Sequence, residues 1–272
     1  MATIDNKGTA LITGASTGIG ATYADRLAQR GYDLILVARN RERLNDVAKR
    51  VTDKTGRAVE VMQADLNRQT DLAQVEALLR KDASITMLVN NAGIGAAAPL
   101  LDSDIAKMAD LITLNVGALT RLVYAAVPGF VKRGKGSIIN IASIVAIAPE
   151  LLNGVYGASK AYVLTLSRSL QHELSDKGVR VQAVLPGAIA TEFWDIAGMP
   201  IRNLPSEMVM TTDNLVDAAL AGLDLGETVT IPSLPDMADW DAYEAARAAL
   251  APGLSRVSPA KRYGVRNPNK AS

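Results

Sequence analysis

The sequence predicts an α/β fold built on a doubly wound parallel sheet. Short apolar runs alternate with longer amphipathic stretches from Thr9 to Leu223, the pattern of repeated strand–helix units. The first run opens into a glycine-rich turn that leads into a helical pattern. Of the 272 residues, 49% are apolar but only 4% aromatic, so Ala, Leu, Ile and Val must fill the core. Strands buried on both faces favour that composition. At this length one domain over residues 1–272 is expected.

Thr9 to Thr13 (T-A-L-I-T) reads as a buried strand. Gly14, Gly18 and Gly20 follow in T-G-A-S-T-G-I-G, and Tyr23, Leu27 and Ala28 keep helical spacing up to Gly31. Glycine lets such a turn bend and lets its backbone approach a ligand. The helix start then offers free N–H groups to a phosphate. The spacing is GxxxGxG, not the GxGxxG of the standard dinucleotide fingerprint.

Asp33 to Ala38 is the second strand, ending at Arg39-Asn40-Arg41 with no carboxylate before Glu42. An acidic residue there would bind the ribose 2′-hydroxyl of NAD, whereas arginine accommodates the 2′-phosphate of NADP. Arg39 therefore favours NADP(H), with NAD still possible; a solvated strand-end arginine is the alternative. Arg41 to Thr55 reads as a charged amphipathic helix closed by Gly56. Ala58 to Met62 is a strand leading to Asp65 and Leu66, and Arg68 to Lys81 is a helix with Leu72, Val75, Leu78 and Leu79 inward. Thr86 to Val89 is a strand, followed by Asn90-Asn91-Ala92-Gly93 where parallel sheets bind ligands. The same tetrapeptide would also suit an ordinary turn.

Ser103 to Lys132 reads as one long apolar helix with Asn115 inside it. A buried asparagine must be hydrogen-bonded; a structural network and a catalytic relay are both open. Gly136 to Ile141 is a strand ending at Ala142-Ser143. Asn153 to Lys177 is a helix, Val179 to Leu185 a strand closed by Pro186-Gly187, Asp213 to Leu223 a helix and Thr228 to Ile231 the last strand. Tyr156 and Lys160 are four apart on one helix face. A cation beside a phenol lowers its pKa from about 10 and makes it a proton donor and acceptor. The pair would equally serve as surface cover.

With 29 basic and 28 acidic side chains the net charge is +1, which points to neither nucleic acid nor an anionic membrane. The absence of cysteine excludes disulfides and thiolate chemistry, and His172, the one histidine, excludes a histidine-rich metal site; no metal is expected. Met1 to Lys7 has no apolar leader region. The longest uncharged stretch, Ala83 to Leu101, is broken by Asn90, Asn91, Gly93, Gly95 and Pro99, so no membrane helix is expected there. These features lead us to expect a cytoplasmic protein.

In order, Thr13 to Gly20, Asn90 to Gly93, Asn115, Ser143, Tyr156 with Lys160, and Pro186-Gly187 with Thr191 resemble the short-chain dehydrogenase/reductase family. The resemblance covers residues 8 to 191, with a weaker match of layout to about 231. It implies a Rossmann-like domain with a seven-stranded parallel sheet, assembled as a homodimer or homotetramer, acting on a small-molecule carbonyl or alcohol. It implies a tetrad of Asn115, Ser143, Tyr156 and Lys160. Tyr156 would transfer the proton, Lys160 would hold the nicotinamide ribose and lower the phenol's pKa, Ser143 would bind the substrate oxygen, and Asn115 would anchor a water. Gly14, Ser16, Thr17, Gly18, Ile19 and Gly20 would wrap the pyrophosphate. Asp65 and Leu66 would meet adenine, Asn91, Ala92 and Gly93 would line the cleft, and Pro186, Gly187, Ile189 and Thr191 would hold the carboxamide. Arg39 matches NADP-preferring members, although Ser16 and Thr17 stand where many of those carry a basic residue. A same-fold epimerase or dehydratase, or a catalytically lapsed cofactor-binding protein, are the alternatives.

Glu192 to Thr212 falls where the family has its substrate loop. Its Phe193, Trp194, Ile196, Met199, Met208 and Met210 would suit an apolar carbonyl compound or pack on the core. Ala148, Pro149, Leu151 and Leu152 would form the facing wall. An extension runs from about 233 to 272, with Met237 to Leu250 as an amphipathic helix and Lys261 to Ser272 as a frayed basic end.

Overall fold

A computed structural model describes residues 6–265. The first residues of the expected leader-free N-terminus, and the tail beyond residue 265, lie outside the described residues. The chain divides into two compact units, residues 1–232 and 233–272.

In the first unit, β1 (Thr9–Thr13), β2 (Asp33–Ala38), β3 (Val59–Gln63), β4 (Ile85–Asn90), β5 (Gly136–Ile141), β6 (Val179–Val184) and a strand at Val229–Thr230, β9, form a seven-stranded sheet. Its order is β3-β2-β1-β4-β5-β6-β9 and every pairing is parallel. The order reverses at β1, which pairs with both β2 and β4. That reversal opens a crevice above the strand ends, where such sheets bind ligands.

Helices α1 (Gly18–Gln29) and α2 (Arg41–Thr55) pack together, and α1 packs on α8 (Thr212–Leu225). Tyr23, Leu27, Leu44, Leu215 and Leu220 meet Leu36, Met87 and Val184 of the sheet in one buried cluster. Between them lie α3 (Gln69–Lys81), α4 (Ile105–Ile112), α5 (Leu119–Arg133), α6 (Gly154–Leu174) and the four-residue α7 (Phe193–Ile196). Of these, α3 packs on α5 and α6 packs on β6. Local signals set the helix ends. Asn40 accepts from the Arg43 N–H to start α2, and Gly56 ends it at φ +69.

The expected single helix over Ser103 to Lys132 is corrected. It starts at Ile105, and residues Thr113–Ala118 between α4 and α5 wind as a π-helix carrying Asn115. The run Ile105–Arg133 has the length and apolar composition of a membrane span, an 18-residue window within it having a mean hydropathy of 1.4. In this fold its inner side is a core layer: Leu111, Leu122, Val123 and Phe130 are buried, and Arg121 pairs with the buried Glu76 of α3.

The segment expected to form the substrate loop is closed at its base by a second, two-stranded sheet, β7 (Ala188–Ile189) with β8 (Val209–Met210). In the second unit, α9 (Met237–Ala249) is capped by Asp236, and Trp240 stacks on Tyr243 at 5.2 Å.

Candidate active site

A cleft of about 700 Å³ lies over the ends of the central strands. Gly14, Ser16, Thr17, Gly18 and Ile19 form one part of its lining, with Arg39, Asp65 and Leu66 beside them. Asn91, Ala92, Gly93, Ser143, Tyr156, Lys160, Pro186, Gly187, Ile189 and Thr191 line the rest.

Two expected residues do not line it. Gly20 is a packing glycine, since a Cβ there would lie 2.3 Å from the Gly14 carbonyl oxygen. It lets the turn fold back on itself. Asn115 is 2% exposed and works from behind. Its Oδ1 accepts from the Ile94 N–H at 3.0 Å, and its Nδ2 donates to the Ile94 carbonyl at 2.9 Å and to Ser159 Oγ at 3.2 Å. The π-helical turn aims this amide sideways at the 91–95 segment, a use of π-bulges common at functional sites. Both ends of the Asn115 amide are thus engaged in a buried hydrogen-bond network.

The glycine turn and the Asn90–Gly93 segment are tied together by Thr13. Its Oγ1 accepts from the N–H groups of Asn91 and Ala92, both at 3.0 Å. Asn91 Nδ2 donates back to the carbonyls of Thr13 and Gly14. Thr17 places no side-chain cap on α1, and no acidic residue sits in its first turn. Gly18 and Ile19 of that turn line the cleft, at a helix start whose first N–H groups have no side-chain cap.

Tyr156 and Lys160 stand on the first turns of α6, started by Asn153, whose Oδ1 accepts from the N–H groups of Val155 and Tyr156. Both side chains are buried. Lys160 Nζ donates to the Ile141 carbonyl at 2.9 Å and sits 5.8 Å from the Tyr156 ring centroid. Ser143, two residues beyond β5, neighbours the Tyr156 phenol; its Oγ donates to the Pro186 carbonyl at 3.4 Å and accepts from the Val145 N–H at 3.3 Å. The expected lowering of the phenol's pKa is corrected. Burial pushes it well above the usual tyrosine value, and the Ser143 hydroxyl pulls only part of the way back. Burial also lowers the Lys160 ammonium to about 8.

On the substrate side, Phe193, Trp194 and Ile196 line the cleft, but Met199, Met208 and Met210 do not. Met208 points to solvent and Met210 packs against the core. Of the expected facing wall, only Leu152 lines the cleft; Leu151 is exposed. Asn40, Arg43, Asn67, Ile94, Asp110 and Leu114 also line it and were not expected. Arg43 has a sequence signal, being a second arginine four residues beyond Arg39 in the first turn of α2. The apolar residues have none, because nothing in composition separates them from core. His172 is exposed at the far end of α6.

Comparison with known proteins agrees with this geometry. Residues 8–197 match the short chain dehydrogenase family. A short-chain dehydrogenase from Sphingobium yanoikuyae, solved in complex with NADPH, superposes with a TM-score of 0.91 at 52% identity, covering 94% of this chain and 100% of that one. A bulky-bulky ketone specific alcohol dehydrogenase from Comamonas testosteroni gives a TM-score of 0.88 at 46% identity, covering 95% and 99%. An inactive hydroxysteroid dehydrogenase-like protein 1 from Homo sapiens is 38% identical over 186 residues, 67% of this chain. This chain spans only 56% of that relative's length. With its sheet order, its strand-end cleft and a family match over residues 8–197, the chain belongs to the short-chain dehydrogenase family of oxidoreductases.

Proposed function

We propose that the chain interconverts a ketone and an alcohol with NADP(H), its substrate being apolar and bulky on both sides of the carbonyl. The observation that carries this reading is the meeting of Ser143, Tyr156 and Lys160 in the same cleft as an uncapped helix start. The donor set suits a dinucleotide. Free amides and small residues at Gly14 to Ile19 would hold the pyrophosphate. Arg39, whose guanidinium has no hydrogen bond or ion pair with the described residues, would take the 2′-phosphate, with Arg43 beside it. Asp65 and Leu66 would meet adenine. Asn91, Ala92 and Gly93 would line the middle, and Pro186, Gly187, Ile189 and Thr191 the nicotinamide end. When bound, the cofactor supplies the hydride.

The chain's own residues do the rest. Tyr156, held neutral by burial, donates its proton to the substrate oxygen as negative charge grows there. Ser143 gives that oxygen a second hydrogen bond. Lys160, cationic below about pH 8, stabilises the phenolate left behind. Asn115 fixes the 91–95 segment that forms the floor.

The NADPH held by the 52% identical neighbour and the ketone class named for the 46% identical one support this reading. The inactive relative raises the alternative of lapsed catalysis, which the assembled Ser143, Tyr156 and Lys160 argue against. The test is to incubate purified protein with NADPH or NADH and a panel of ketones, and to follow loss of the reduced nicotinamide absorbance. Net NADPH consumption with bulky ketones is expected. No consumption with any carbonyl compound would return the chain to the epimerase, dehydratase or lapsed readings.

A further inference from the structure

Gly95 is a glycine that its backbone does not require: its φ lies outside the left-handed region. Space requires it. A Cβ built there would lie 2.0 Å from Cζ of Phe193, 2.4 Å from Cε2 and 2.9 Å from Cε1. The tip of the Phe193 ring therefore fills the volume that any other residue at 95 would occupy.

The same ring packs at a tilt on the Tyr156 ring, with centroids 5.7 Å apart, and edge-on to Trp194 at 5.5 Å. The surroundings are apolar: Ile94, Ala96, Met108, Val145 and Leu152 belong to one cluster with Tyr156 and Phe193. The Phe193 ring is held only by packing, its backbone carbonyl accepting from the Ala197 N–H at 2.8 Å. The anchors of its segment follow it in the chain, in Trp194 Nε1 donating to the Ile189 carbonyl at 2.9 Å and the Ala97 N–H donating to the Ala197 carbonyl at 3.2 Å. The segment can thus stay fastened while this one ring turns.

We propose that the notch over Gly95 is the subsite for one planar aromatic substituent of the substrate, and that Phe193 occupies it until such a substrate displaces it. A ketone bulky on both sides needs two apolar places flanking its carbonyl. The open cleft beside Leu114, Leu152 and Ile196 supplies one. The notch supplies the other, against the face of the phenol that donates the proton. Phe193 shields Tyr156 in the resting state and sets the size of group that reaches it. This inference rests on the carbonyl-reductase reading above.

The experiment compares deoxybenzoin, which carries an aryl group on each side, with butan-2-one, using NADPH and the purified full chain. Phe193→Ala empties the notch. It should raise the ratio of kcat/KM for deoxybenzoin over butan-2-one by about tenfold, mainly through KM, in the range seen for reshaped apolar pockets. Gly95→Ala puts a methyl group into the notch and should lower that ratio by about tenfold. The NADPH dissociation constant, read by fluorescence, should stay within about twofold in both, the margin of a change that leaves cofactor contacts alone. Phe193→Leu, a milder change, should fall between wild type and Phe193→Ala. A ratio unmoved or lowered by Phe193→Ala and Phe193→Leu would overturn the proposal while leaving the carbonyl-reductase reading intact. A wild type that binds NADPH but reduces neither ketone would overturn both.

Discussion

Arg43, in the first turn of α2, and Glu192, just before α7, form an ion pair of 2.8 Å although 149 residues separate them. Both line the cleft, and both side chains are about half exposed. Such a pair is weak, about 0.2–1 kcal/mol, and readily exchanged for a better partner. A 2′-phosphate would be one. Glu192→Gln should free Arg43 and tighten NADPH binding by about 1.5- to 5-fold with little change for NADH. Titration of both cofactors by fluorescence checks this; equal shifts for the two would separate Arg43 from the 2′-phosphate.

Arg39 tests the same end of the cleft from the other side. Arg39→Asp should weaken NADPH binding by about ten- to a hundredfold, the worth of one charge-assisted hydrogen bond, and favour NADH. Unchanged NADPH affinity would show that its guanidinium does not reach the phosphate.

The pH dependence follows from burial. In the proposed mechanism, reduction draws its proton from a phenol that burial keeps neutral and wants a cationic Lys160, whose pKa burial lowers to about 8. Reduction kcat/KM should therefore hold steady up to about pH 8 and fall above it, whereas alcohol oxidation, which needs the phenolate, should rise with pH. Opposite trends would contradict the assignment of Tyr156 as the proton donor.

Stability should carry the same signature. In the unfolded chain Lys160 regains its usual pKa of 10.5, so between about pH 8 and that value the unfolded state binds more protons than the folded one. Stability contributed by this group is thus lowest below pH 8 and recovers as pH rises through that window. Above about pH 10 the raised Tyr156 pKa acts in the other direction, because the unfolded phenol loses its proton first. Lys160→Met should remove the rise between pH 8 and 10 in thermal melts.

Much of this was legible before any coordinates. β1, β2, α2 and β5 have the predicted bounds because each is specified locally, by an apolar run, a cap or a glycine stop. The π-helical turn at Thr113–Ala118 was not legible. Helix propensity runs straight through it, and only the polar Asn115 hints that tertiary hydrogen bonds to Ile94 set the local winding. The resting fit of Phe193 into Gly95 joins residues far apart in the chain and needs the fold to be seen. The pKa of Tyr156 was misjudged for a related reason. Sequence shows that Lys160 is near, but not that both groups are buried deeply enough for desolvation to set the direction of each shift.

The most direct test of the account is Tyr156→Phe, assayed as ketone reduction by NADPH at pH 7 beside a separate NADPH titration. Loss of the proton donor should cut kcat by about 10²- to 10⁴-fold. The NADPH dissociation constant should remain near that of wild type. A variant that turns over at the wild-type rate would contradict proton transfer by Tyr156 and the catalytic reading built on it.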